Sequence, residues 1–163
     1  MPMTGENNGI TFTDAAKGRV VTRNAPLITQ VGTGPQGVTS YAYYTSESDA
    51  TAPQISVPHD SSLNLGSKDF CVEWFYRPTT LPASRDHPRF FDKRGSSNNF
   101  EIMLVYYNGI LYFYVSADGT VMYPLINGTA WSPTLNQWHH MRVSRNGSTW
   151  RLWVDGQKFR VVS

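Results

Sequence analysis

The sequence predicts an all-β protein built as an antiparallel two-sheet sandwich, and three observations predict it. Glu and Lys, which supply most exposed helix faces, occur only four times each, while Thr, Val, Tyr, Trp and Phe are plentiful. Asn-Gly or Asp-Gly pairs stand at 108–109, 118–119, 127–128, 146–147 and 155–156, nine or ten residues apart with one double interval. Both central residues of a primed hairpin turn need positive φ, which Asn, Asp and Gly accept most readily. The segments between these pairs are rich in β-branched and aromatic residues, the pattern of a sandwich or barrel.

The turn series predicts strands near 99–107, 110–117, 120–126, 138–145 and 148–154. The first half is less regular. There the expected strands are Ile10 to Thr13, Arg19 to Thr22, Leu27 to Val31, Val38 to Tyr44, Gln54 to Val57, Asp69 to Arg77 and Arg89 to Asp92. Loops rich in Pro, Ser and Asp separate them, the longest from Pro78 to Pro88. Residues 1–9 read as a flexible polar arm and 10–163 as a single domain.

Register follows from turn length. A two-residue loop at Asn108-Gly109 pairs Tyr107 with Ile110 and Leu104 with Phe113. Phe100, Ile102, Leu104, Tyr106, Leu111, Phe113 and Val115 then share the core face. Glu101, Met103, Val105, Tyr107, Tyr112 and Tyr114 face outward, a semi-apolar surface suited to being covered. The same operation at Asn146-Gly147 sends His139, Met141, Val143, Trp150, Leu152 and Val154 inward. Trp138, His140, Arg142, Ser144, Thr149, Arg151, Trp153 and Asp155 go outward, with Arg142 directly opposite Arg151.

Of the 163 residues 40% are hydrophobic and only 16% charged, against about 25% charged in an average soluble domain. Ser, Thr, Asn and Gln, together 45 residues, make up the polar surface. A net charge of +2 without a dense Lys/Arg run argues against nucleic acid. No stretch approaches the roughly 18 apolar residues of a membrane span. The polar start, with Pro2, Gly5 and Gly9, lacks the basic and apolar regions of a secretory signal. Cys71 is the only cysteine, so no disulfide staples the monomer, and folding in a cytoplasm is expected.

The segment Asp69 to Pro78, then Trp138-His139-His140-Met141-Arg142-Val143, then Leu152-Trp153-Val154-Asp155-Gly156, resembles the concanavalin A-like, laminin G-like jelly rolls. The likeness covers Gln54 to Gly156 and is nearest to the versions found in tail, fibre and decoration proteins of bacteriophages. The resemblance implies a jelly-roll sandwich with one curved sheet, in a broad family whose members bind glycans, proteins or calcium and include glycanases. Such domains usually continue past the Asp-Gly hairpin with one or two more strands. Here only Gln157 to Ser163 follow, so the first-half strands are expected to complete the sheet differently or to leave an edge for a neighbouring chain.

A jelly-roll glycanase needs two carboxylates about 5 to 9.5 Å apart, which on one strand means acidic residues at i and i+2 or i+4. Glu73 and Glu101 are each read as sitting alone, and Glu47 with Asp49 belongs to a loop. No enzyme is expected. Cys71, mid-strand, reads as a packing residue, and no G-x-S-x-G occurs. Adjacent His139 and His140 point to opposite faces and cannot share an ion. The resemblance admits calcium held by loop oxygens with Asp60 or Asp92, although loop aspartates more often form turns.

The outward aromatics are the better binding candidates. A sugar ring stacks its axial C–H groups on a Tyr or Trp face. Tyr112 and Tyr114 on one hairpin, and His140 and Trp153 on the other, offer such faces, as surfaces for a glycan or for a partner subunit. Arg142 and Arg151, like charges across a ladder, are read either as simply solvated or as bridged by an anionic group from a partner, an acidic sugar or nearby Asp155. Asn127-Gly-Thr129 and Asn146-Gly-Ser148 match a glycosylation sequon but are accounted for as turns. The expected protein is a non-enzymatic phage virion component that decorates capsid or tail, contacting other virion proteins, copies of itself or host-surface polysaccharide. The alternative is a lectin-like module of a bacterial cell-surface or polysaccharide-degrading system.

Overall fold

The computed structural model describes residues 17–23, 27–31, 34–35, 40–44, 55–81, 89–94, 100–116, 121 and 123–163. The chain forms two compact units, residues 1–62 and 63–163. In the first unit, β1 (Thr22–Arg23) pairs antiparallel with β4 (Ile55–Ser56), and β2 (Leu27–Val31) pairs with β3 (Ser40–Tyr44). The Thr22 hydroxyl donates to the Ser56 carbonyl at 3.3 Å and shares a 2.6 Å hydrogen bond with the Ser56 hydroxyl. The strand expected over Ile10 to Thr13 lies outside the described residues.

The second unit carries a 3₁₀ turn that runs into it, Ser61–Leu63, followed by β5 (Phe70–Tyr76), β6 (Arg89–Arg94), β7 (Phe100–Tyr107), β8 (Ile110–Val115), β9 (Tyr123–Ala130), β10 (His139–Asn146), β11 (Thr149–Val154) and β12 (Gln157–Val162). Two four-stranded antiparallel sheets result, in the orders β12-β11-β10-β5 and β6-β7-β8-β9. No helix among the described residues is long and apolar enough to cross a membrane.

Alternation along the strands drives the packing. Leu104, Leu111, Phe113 and Ile126 from one sheet and Met141, Val143 and Leu152 from the other are almost wholly removed from solvent. Each such side chain contributes about 1.5–3 kcal/mol of burial. Aromatic rings join the sheets: Phe113 meets Trp150 at 5.4 Å, Trp74 meets Phe91 at 5.4 Å, and Tyr76 meets Phe90 at 4.9 Å. At the end of the core, Trp131 receives the Tyr106 hydroxyl on its carbonyl at 3.2 Å. This is the all-β, antiparallel sandwich expected.

The first hairpin has the expected register, Tyr107 with Ile110 through Met103 with Tyr114. Asn108 at φ 48° and Gly109 at φ 78° make the two-residue primed turn. The second hairpin corrects the sequence reading. Asn146 pairs with Thr149, so the turn residues are Gly147 and Ser148. Gly147, at φ 57°, takes the first central position, which a type II′ turn reserves for glycine. A one-residue shift of the turn moves every cross-strand partner by two. Faces are kept, but Arg142 pairs with Trp153 and Arg151 with Ser144. The expected opposition of Arg142 and Arg151 does not exist.

Two further corrections concern turns and strands. Asn127-Gly128 lies inside β9 and makes no hairpin: Leu111 pairs with Thr129 and Phe113 with Ile126, so Asn127 and Gly128 together oppose Tyr112. That is a β-bulge, and Gly128 at φ 74° supplies the left-handed backbone it needs. Past Asp155-Gly156 the chain continues as β12, paired to β11, so the sheet does gain a strand after the hairpin. The Asp118-Gly119 pair and most of the Pro78–Pro88 loop lie outside the described residues.

Candidate functional site

Each sheet turns one face to the shared core and one away from it. On the outer face of β12-β11-β10-β5, cross-strand pairing places Trp153 of β11 opposite Arg142 of β10, and Arg142 opposite Glu73 of β5. Arg151 lies two residues before Trp153 on the same face and opposite Ser144, which in turn faces Cys71. Trp153, Arg142, Arg151, Ser144 and Cys71 border an open depression of about 460 Å³, together with Asp69 and Arg145.

The electrostatics of this face are uneven. Although Glu73 is the direct neighbour of Arg142, its carboxylate Oε2 is 3.4 Å from Nε2 of His140 instead. The Arg142 Nε donates to Cys71 Sγ at 3.0 Å, which steadies the guanidinium without neutralising it. Arg145 is spent on structure: Nε donates to the Gly147 carbonyl at 2.9 Å, Nη1 to the Gly66 carbonyl at 2.7 Å, and the group lies over the Trp150 ring. Asp69 is likewise engaged, its Oδ1 accepting the Gly147 amide at 2.7 Å. Among the described residues that line the depression, Arg142 and Arg151 therefore remain the cationic groups without an acidic or backbone partner.

His140 is less free than the sequence suggested. Its ring stacks on Phe75 at 4.8 Å and 27°, in addition to its pairing with Glu73. His139 points inward, as expected, and acts as a tie. Its Nδ1 is 2.8 Å from Oδ2 of Asp155, and its Nε2 donates to the Thr134 carbonyl at 3.0 Å.

Tyr112 and Tyr114 belong to the other sheet. They stack at 6.2 Å and 20° on the outer face of β8. Burial, and secondarily the neighbouring Tyr112, pushes the Tyr114 phenol above its ordinary range. Val105, opposite Tyr112, is only 7% exposed, so this outer face is partly desolvated. The six candidate residues therefore form two groups facing away from one another across the core. Tyr112 and Tyr114 make one, and His140, Arg142, Arg151 and Trp153 the other.

Two further placements change the sequence reading. Cys71 is exposed on the outer face, because β5 alternates with Val72 and Trp74 inward and Cys71 and Glu73 outward. Its parity with Glu73 carried that signal. Asp92 is a strand residue of β6 with Oδ2 3.3 Å from Nη1 of Arg89, in place of a loop ligand. Among the described residues no cluster of three His, Cys, Asp or Glu could hold a metal ion. Glu47, Asp49 and the side chain of Glu101 lie outside what is described.

Comparisons with known proteins agree on the architecture. No curated protein is significantly similar in sequence. A solved structure described as the binding domain of Paraclostridial Mosquitocidal Protein 1 superposes with a TM-score of 0.68 at 15% identity, a level of identity that speaks to fold alone. The match covers 99% of this chain and 39% of that one, so the chain spans well under half of its structural relative. Over residues 49–162 the sequence matches the model of the Concanavalin A-like lectin/glucanases superfamily. With two antiparallel sheets closed on one core and a match across most of its length, the chain belongs to the concanavalin A-like lectin/glucanase superfamily.

Proposed function

We propose that the chain is a non-enzymatic carbohydrate-binding module that works on the surface of a bacteriophage particle, decorating capsid or tail and holding host-surface polysaccharide. The observation that carries the binding reading is Trp153, placed by its pairing with Arg142 beside an open depression on the outer face of a lectin-type sandwich. A Trp face offers an apolar surface for the C–H groups of a sugar ring, and adjacent polar groups take its hydroxyls. A structural relative described as a binding domain supports the same direction.

The non-enzymatic part rests on the carboxylates. On this face Glu73 is held by His140 and Asp69 by the Gly147 amide, and they do not form an open, facing pair such as glycoside hydrolysis uses. No cofactor is required. The phage context rests on the likeness of Asp69 to Pro78, Trp138 to Val143 and Leu152 to Gly156 to phage members of the family. It implies assembly from the host cytoplasm into a virion.

The stacked Tyr112 and Tyr114 favour a second contact, with another virion protein or another copy of the chain. Their face is already partly desolvated and lies on the far side of the core from Trp153. Peptides of the chain in the mass spectrum of purified particles support the virion role, and their absence rejects it. Electrophoresis through polysaccharide gels tests binding: retardation that Trp153→Ala removes without unfolding supports it, and migration indifferent to every polysaccharide rejects it.

A further inference from the structure

We infer that the ligand of the Trp153 depression is an acidic polysaccharide whose sugars carry carboxylates, gripped by Arg142 and Arg151 on either flank of the indole. This rests on the carbohydrate-binding reading of that face and specifies the class of sugar. Trp153 has Arg142 directly across the ladder and Arg151 two residues away on its own strand. The two arginines are thus diagonal neighbours, about 7 Å apart at Cβ. That spacing lets two guanidiniums address one chain stacked between them.

Their charge is not cancelled from within the described residues. The carboxylate best placed to neutralise Arg142 is Glu73, and it is drawn to His140 at 3.4 Å. Arg142 keeps its Nη groups for a ligand while Nε is anchored on Cys71 Sγ. Arg151 faces Ser144 on one side and Val161 on the other, neither of which is anionic. The third arginine, Arg145, and the acid of the same depression, Asp69, are held by backbone groups, and their opposite charges offset one another in the balance of the patch. What remains is a net cationic patch on an apolar plate. A guanidinium presents paired N–H donors that match the two oxygens of a carboxylate, a geometry a lysine ammonium cannot copy. Neutral sugars would leave both charges unused.

The test is affinity electrophoresis at about 0.15 M salt, where long-range attraction between exposed charges is largely screened. The probes are polygalacturonate, neutral dextran and single-stranded DNA. Preferential retention by polygalacturonate is expected, weakened about tenfold by Arg142→Lys or Arg151→Lys, the size of one lost charge-assisted hydrogen bond. Arg160→Ala removes an equal charge from β12 away from the depression and should change retention by less than about twofold. Thermal unfolding of each variant confirms that the fold is kept. Equal retention by dextran, with no response to the arginine changes, overturns the acidic specificity and leaves the carbohydrate reading standing. Retention by neither polysaccharide overturns both, and tighter retention by DNA overturns the sugar ligand in favour of a phosphate backbone.

Discussion

The imidazole of His139 and the carboxylate of Asp155 meet at 2.8 Å, where β10 begins and β11 has just ended at the open end of their hairpin. The second carboxylate oxygen of Asp155 accepts the His140 amide, also at 2.8 Å, and His139 reaches on to the Thr134 carbonyl. One aspartate therefore closes the open end of the hairpin and one histidine ties it to the loop before β10. The two motif segments that carry the family likeness, Trp138 to Val143 and Leu152 to Gly156, are thus joined by their own residues. That likeness marks a structural lock, and it says little about ligand.

Asp155 also holds a left-handed backbone at φ 51°. Asp155→Ala loses two acceptors and leaves at this φ an alanine, which tolerates the left-handed backbone less well than aspartate does. The total loss should be about 2–4 kcal/mol in urea unfolding. Asp155→Asn tolerates the backbone and keeps one acceptor, so it should cost about 1 kcal/mol. Equal losses for the two variants would show that the carboxylate bonds do not hold the hairpin.

The fold was legible because turn chemistry and alternation agree. The register across Asn108-Gly109 was readable to the residue, since both turn residues take positive φ and nothing competes. Asn146-Gly147 was not, because Gly-Ser also fits a primed turn with glycine first, and the dipeptide alone cannot choose between the two. Asn127-Gly128 carries the same letters with a different use, a bulge, since β9 must run on past it to pair Thr129 with Leu111. At the site, parity placed Trp153, Arg142 and Arg151 on one face. That Glu73 would turn to His140, leaving Arg142 open, depends on side-chain geometry that no spacing encodes.

Gly128 offers a direct test of the bulge. A Cβ there would come 3.3 Å from Cγ2 of Ile110 and 3.7 Å from the Tyr112 ring, at a backbone φ of 74°. Gly128→Ala should destabilise by about 1–2 kcal/mol from backbone strain alone. The Ile110 methyl must also give by a few tenths of an ångström, whereas the Tyr112 ring stands at ordinary contact distance, so the tyrosine signal in near-ultraviolet circular dichroism should be kept. Wild-type stability would mean the bulge relaxes freely.

Burial raises the phenol of Tyr106 above its usual 10. The folded state thus keeps that proton to higher pH than the unfolded chain does. The resulting stability is intact below pH about 10 and is lost as pH climbs through the folded value. Tyr106→Phe should cost about 1 kcal/mol at neutral pH through the lost bond to the Trp131 carbonyl, yet flatten the alkaline decline. Urea midpoints between pH 8 and pH 11 measure both. A variant declining as steeply as the wild type would assign the alkaline loss to other groups, Tyr114 first among them.

The two aromatic surfaces lie on outer faces of different sheets, so their functions should separate under mutation. Trp153→Ala removes the plate beside Arg142 and Arg151, and stacking on an aromatic face is worth about 1 kcal/mol. Polysaccharide retention should fall at least about fivefold while self-association is unchanged. Tyr112→Ala with Tyr114→Ala removes the stacked pair on β8 and should leave retention within about twofold of wild type. It should instead weaken any association between copies, read by sedimentation velocity. Sites this far apart with no shared partner act independently, so the triple variant should show the sum of the two effects. A strong loss of retention from the tyrosine changes alone would place the sugar on the β6-β7-β8-β9 sheet and empty the Trp153 depression of its role.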